Sequence, residues 1–89
     1  MRAIVTVIGT DRVGIIASIC ILLSGMNVNI LDINQTVMQE FFTMTMLVDL
    51  SACTAPFAEL AEQLSKKGEE MALNIRIQRE DIFTAMHTL

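Results

Sequence analysis

The chain has 89 residues, 53% of them hydrophobic, with four phenylalanines but neither tryptophan nor tyrosine. That length holds one domain around one core, and so apolar a small body keeps some of its apolar side chains at the surface, where they mark an interface. The net charge is −4, and Arg2, Arg12, Lys66, Lys67, Arg76 and Arg79 are scattered rather than striped with stacking aromatics, which argues against direct binding of nucleic acid.

Residues 2–9 (RAIVTVIG) are β-rich and apolar on both faces, as a central strand requires, with Ala3, Val5 and Val7 on one side and Ile4, Thr6 and Ile8 on the other. The loop Thr10-Asp11-Arg12 then leads into a helix over about Val13 to Met26, with Asp11 placed to cap its first N–H groups. Ile15, Ile16, Ile19, Leu22, Leu23 and Met26 form one wide apolar face, while Ile21 projects from the other side. The helix carries no charge, which suits packing on the core by one side and on a partner by another. Gly25 or Asn27 can end it, and Asn27 is favoured because Met26 still falls on the apolar face.

Residues 28–39 read as a long strand with an irregularity. Ile30 and Ile33 lie three apart, so a bulge near Leu31 and Asp32 is needed to bring both to the core. After a break at Gln39-Glu40, residues 41–50 alternate, with Phe42, Met44, Met46, Val48 and Leu50 inward. A second helix is expected from Thr54, with Pro56 in its first turn and Gly68 as its stop. Residues 72–79 alternate again around Leu73, Ile75 and Ile77, and a short tail helix over about Asp81 to Thr88 carries Ile82, Phe83 and Met86. The order β-α-β-β-α-β, with right-handed crossovers, is that of a ferredoxin-like α/β sandwich: a four-stranded antiparallel sheet with two helices on one face. One domain spans 1–89, its core about 2–79 and a C-terminal helical extension about 80–89.

The uncharged run from Val13 to Leu31 is long enough to cross a bilayer, but Ser18, Ser24, Asn27 and Asn29 interrupt it and Gly25 breaks its helical pattern. Charged Asp11 and Arg12 also end the first apolar run too early for a signal peptide. A soluble cytoplasmic protein is expected, with Cys20 and Cys53 as two buried thiols rather than a disulfide or zinc pair. Met44, Met46, Met86 and His87 have the donors of a soft-metal site, yet alternation makes the strand methionines core and Met86 completes the tail stripe. No metal or cofactor is expected.

The segments Gly9-Thr10-Asp11-Arg12-Val13-Gly14-Ile15-Ile16-Ala17 and Asn27-Val28-Asn29-Ile30-Leu31-Asp32-Ile33, followed by Gln35-Thr36, resemble the ACT domain. Its first loop typically reads G-x-D-R-x-G-hydrophobic-hydrophobic-A, and its second strand opens with N-I. The resemblance runs over essentially the whole chain. The stretch NVNILDINQT and the ending EDIFTAMHTL are similar to a family of small stand-alone ACT proteins of bacteria and archaea, and more distantly to the repressor of the glycine cleavage operon. It implies a regulatory protein that pairs side by side through the second strand and first helix. It also implies an amino-acid ligand between the first loop of one subunit and the second strand of its neighbour.

On that basis the ligand-binding residues are Gly9, Asp11, Arg12, Val13, Gly14, Asn27, Asn29, Ile30 and Asp32. A helix N-terminus suits a carboxylate, the glycines permit close approach, the asparagines donate and accept, and Asp32 suits an ammonium group. Each also has a plainer role: Asp11 as a cap, Gly9 and Gly14 as turn formers, Asn27 as the helix end. No nucleophile–base pair or paired-carboxylate motif stands out, so no enzyme is expected. The expected function is a non-enzymatic regulator, binding an amino acid at the seam of a homodimer or higher homo-oligomer and signalling to a partner protein; Ile4, Phe41 and Leu47 on the open sheet face leave room for a second interface, so dimer and tetramer stay open. The alternative is a pure dimerisation or protein-interaction module with no ligand.

Overall fold

In the computed structural model the described residues are 1–10 and 14–81. Asp11, Arg12 and Val13 of the expected site, and all of the expected tail helix beyond Asp81, including His87, lie outside them. The elements run β1 (Arg2–Thr10), α1 (Ile15–Gly25), β2 (Asn29–Met38), β3 (Phe41–Asp49), α2 (Phe57–Met71) and β4 (Asn74–Arg79). The sheet order is β2-β3-β1-β4, with every neighbouring pair antiparallel. This is the expected ferredoxin-like sandwich, with β1 central and β2 and β4 at the edges.

Alternation fixes the core. Ala3, Val5 and Val7 of β1 and Phe42, Met44, Met46 and Val48 of β3 are buried on one side, against Ile15, Ile19 and Leu23 of α1 and Leu60 and Leu64 of α2. Ile16, Leu22 and Met26 pack more loosely on this core, completing the wide apolar face of α1. Met26 caps that helix, and Asn27 follows with φ 63°, in the left-handed conformation expected of it. Asn27 Nδ2 also donates to the Ala52 carbonyl at 3.1 Å, tying the end of α1 to the loop after β3. Both cysteines are free thiols, half-buried rather than fully buried as expected.

The bulge is present. Ile30 pairs with Val48 and Asp32 with Leu47, leaving Leu31 as the extra residue, so Ile30 and Ile33 share a face. Asp32 Oδ1 accepts from the Ile33 N–H at 2.9 Å beside this irregularity. That face is the core side of the sheet, yet Ile33 stays 37% exposed and Val37 54% exposed. At the start of β3 the hairpin turns over Gln39 and Glu40, with Gln39 at φ 55°.

Two expectations about α2 fail. The helix begins at Phe57 rather than Thr54, because Pro56 caps it in extended conformation and Thr54 instead donates its N–H to the Met26 carbonyl at 3.0 Å. Nor does Gly68 end it: the helix continues to Met71, and Ala72 adopts the left-handed conformation at φ 57°. The Leu73 N–H then donates to the Gly68 carbonyl at 2.8 Å. Gly68 is buried where α2 meets β4, and a Cβ there would lie 2.8 Å from the Leu73 carbonyl oxygen. Its lack of a side chain serves packing, not termination.

At the end of the sheet opposite the β2–β3 hairpin, Asp49 is held by its neighbours. The Ser51 hydroxyl donates to Asp49 Oδ1 at 2.7 Å and the Ser51 N–H at 2.9 Å, and these bonds keep its carboxyl below its ordinary pKa.

Candidate ligand groove at the start of the first helix

β1 ends at Thr10 and α1 begins at Ile15, with Gly14 as the residue preceding the helix. Gly14 has φ 87° and ψ 1°, a left-handed conformation that costs a residue with a Cβ about 1–2 kcal/mol. No atom lies within 4 Å of where its Cβ would be. The need for glycine here is therefore conformational, as the turn requires. Gly14→Ala should lower stability by about 1 kcal/mol, whereas Gly25, in equally open space with no positive φ, should accept alanine without loss. Paired thermal melts of the two variants check this.

Gly9 answers to a different constraint. A Cβ at this position would collide with the Leu73 side chain, so the close approach Gly9 permits is to the protein's own β4 entrance. Gly14, Ile15, Ile16 and Ala17 form one wall of a groove of about 540 Å³, and Gln35, Val37 and Phe42 form the other. No side chain supplies a cap hydrogen bond to α1 among the described residues. Among the described residues the N–H groups of its first turn have no side-chain acceptor, and such groups suit an anionic group at the groove's end.

The expected site residues do not all gather here. Gly14 is at the groove, at the hairpin end of the sheet. Asn29 pairs with Asp49 and Ile30 with Val48, at the other end, seven and six residues along β3 from Phe42. Seven residues of strand span about 23 Å. The faces differ as well. Ile30 lies opposite buried Val48 on the helix side, while Asn29 and Asp32 lie opposite Asp49 and Leu47 on the open side of the sheet. Asn27 is committed to the Ala52 carbonyl. Within one copy, then, Gly14 and the start of β2 are separate.

Gln35 is the groove residue that the sequence reading did not select. It lies opposite buried Met44, on the strand face that also presents Ile33 and Val37. A polar residue on the otherwise apolar inward face of the strand was the available signal, visible once the bulge is placed.

The sandwich with this groove at the mouth of its first helix is an ACT-type fold. Residues 2–78 match the ACT domain family, and the chain belongs to it. ACT domains are regulatory, ligand-binding domains. The chain is 51% identical to a UPF0237 protein of the bacterium Listeria innocua, each covering 100% of the other. It is 49% identical to a UPF0237 protein of the archaeon Methanocaldococcus jannaschii over 99% of this chain and 98% of that one. Among solved structures, an ACT domain protein from Streptococcus pneumoniae superposes with a TM-score of 0.82 at 35% identity, over 100% of this chain and 97% of that one. A glycine cleavage system transcriptional repressor gives a TM-score of 0.72 at 26% identity, with 88% of this chain matching 44% of that one. The resemblance to small ACT proteins and to that repressor is thereby borne out. Among the described residues no helix is long and apolar enough to cross a membrane.

Proposed function

We propose that the chain is a regulatory ACT protein that pairs through β2 with a second copy and holds a small amino-acid-like ligand in the groove at the seam. The observation that carries this is the position of the groove. It lies between the start of α1 and the hairpin end of β2, and β2 is an edge strand with no strand on its outer side among the described residues. The exposed helix-side residues Ile33 and Val37 on that strand are what a second copy would cover.

An antiparallel pairing of β2 with its symmetry mate sets the start of one strand beside the end of the other. The partner's Ile30 then approaches the end of the groove that Val37 lines, and the 23 Å gap within one copy, about seven strand residues, is bridged by symmetry. Asn29 reaches the seam from the open side, and Asp32 is left out of the pocket. The ligand carboxylate faces the first turn of α1, with Gln35 as the polar side chain beside it and Ile16, Val37 and Phe42 receiving an apolar side chain. Signalling to a partner protein follows if the ligand binds the paired and unpaired states unequally.

The reading without a ligand has one observation in its favour: among the described groove-lining residues Gln35 is the sole polar side chain. A thermal-shift screen against the amino acids separates the two. At about a hundred times its dissociation constant a ligand stabilises the fold by about 2.7 kcal/mol. Gln35→Leu, which keeps the groove's bulk, is expected to cut that shift to less than half while leaving the unliganded melting temperature close to wild type. No shift with any amino acid on a confirmed dimer would support the pure assembly module instead.

A further inference from the structure

The sheet face away from the helices is ordered into rows by the strand register. One row reads Asp32, Leu47, Ile4 and Gln78 from edge to edge, and the next reads Asn34, Thr45, Thr6 and Arg76. Beyond these lie Ile8, 49% exposed, and Phe41, 58% exposed. Across these rows charge is confined to two positions, Asp32 on one edge strand and Arg76 on the other. Arg2 and Glu80 lie past them at the sheet's end and pair with each other at 2.7 Å.

Arg76 stands out among the described arginines and lysines. Arg2, Lys66, Lys67 and Arg79 each have a carboxylate within 4 Å. Among the described residues Arg76 has none, and its Nε donates to Asn74 Oδ1 at 3.2 Å. It borders a shallow groove of about 390 Å³ with Thr6, Ile8 and Gln78. Asp32 likewise has no cationic partner among the described residues and accepts a single backbone N–H.

We infer that this open face is a second self-association surface, on which the face of another copy seats with its Asp32 over the Arg76 groove. A twofold axis running along the strands places β2 of one copy over β4 of the other and β3 over β1. Leu47 then meets Ile4 of the second copy, and Asp32 falls over the Gln78–Arg76 stretch. The Asp32–Arg76 offset is one row, about 7 Å, which the long arginine side chain spans. A twofold axis across the strands would instead stack each strand on its own mate and leave both charges unpaired, so the charges select the axis. Symmetry makes every contact occur twice.

The face is four strands wide and about eight residues long, or about 500 Å² per copy from strand spacing and rise. Two such faces bury about 1,000 Å², the lower bound for a specific association. A single pair is accordingly weak. A β2-paired dimer presents two faces side by side, which favours a tetramer, but the face contact does not depend on the β2 contact.

Sedimentation equilibrium of the full chain over a concentration series tests this. Arg76→Asp and Asp32→Arg should each weaken one association step at least tenfold, and the double variant should restore it to within about threefold. Leu47→Asp should abolish the same step. If β2 pairing fails and this inference holds, the wild type is a dimer that Arg76→Asp converts to monomer. If the reverse is true, a wild-type dimer is untouched by Arg76→Asp and Leu47→Asp. Single charge reversals that leave every step unaltered, or a double variant that stays as weak as the singles, would overturn the inference. So would a wild type lacking the step whose Arg76 and Thr6 resonances respond to acetate, since the groove's occupant would then be a free carboxylate.

Discussion

Gly68→Val should unfold the chain at a markedly lower temperature than wild type. Position 68 is buried inside α2, where a Cβ meets the Leu73 carbonyl oxygen at 2.8 Å, Ile75 Cγ1 at 3.3 Å and the Ile75 N at 3.5 Å. Two of these three atoms are backbone, and β4 is held against β1 by its own ladder, so the strand cannot step aside without losing pairing. Overpacking of this kind costs about 1–3 kcal/mol, and the branched valine belongs at the top of that range. With about 4–8 °C lost per kcal/mol in a domain of this size, a drop of about 12–24 °C is expected. Gly68→Ala separates packing from helix propensity. Alanine gains about 1 kcal/mol over glycine in a helix interior, so a mere helix-forming site would be stabilised. A net loss is expected instead, and a melt of Gly68→Ala at or above the wild-type temperature would show that the α2–β4 contact yields.

Gly68 also shows why part of the fold was legible and part was not. Strand faces follow from a period of two, so the inward sets of β1 and β3 could be read residue by residue, and the three-residue spacing of Ile30 and Ile33 exposed the bulge. A glycine near the end of an amphipathic run has two meanings, a stop or a close approach, and only the position of β4 distinguishes them. The same applies to Gly9, which approaches Leu73 from 64 residues away in sequence. Pro56 reads equally as a first-turn or a capping proline because the two differ in ψ alone, and here ψ is 154°, which puts the helix start three residues later than Thr54, at Phe57.

The site was less legible for a related reason. Its motif residues are adjacent in sequence order but not in one copy. The bulge that carries Ile33 to the core side also settles that Asn29 and Asp32 face away from it, a consequence that follows from register and not from composition. Gln35 emerged because the same register turns it toward the groove.

The other large effect concerns association. Ile33→Asp should shift the concentration at which the β2-paired dimer forms upward by about a hundredfold. Ile33 sits mid-strand on the outer edge of the sheet with over a third of its surface uncovered, at 37%, and it lies opposite buried Met46 rather than toward the open face. A second copy that covers the remainder removes apolar surface from water worth about 1.5 kcal/mol per side chain. The twofold axis doubles the loss to about 3 kcal/mol, and each 1.4 kcal/mol is a factor of ten, which yields the hundredfold figure before the desolvation of two carboxylates is added. Leu31→Ser, which trims a 50% exposed side chain at the bulge without adding charge, should give a smaller shift in the same direction. Hydrogen exchange on β2 supplies the independent readout. Its outward N–H groups have no partner strand among the described residues, so pairing should slow their exchange in the wild type and Ile33→Asp should release them at equal protein concentration. Release without a change in mass would mean that the strand had only frayed. A change in mass without release would move the interface to α1, where Ile21 stands 72% exposed, and would separate the groove from the seam.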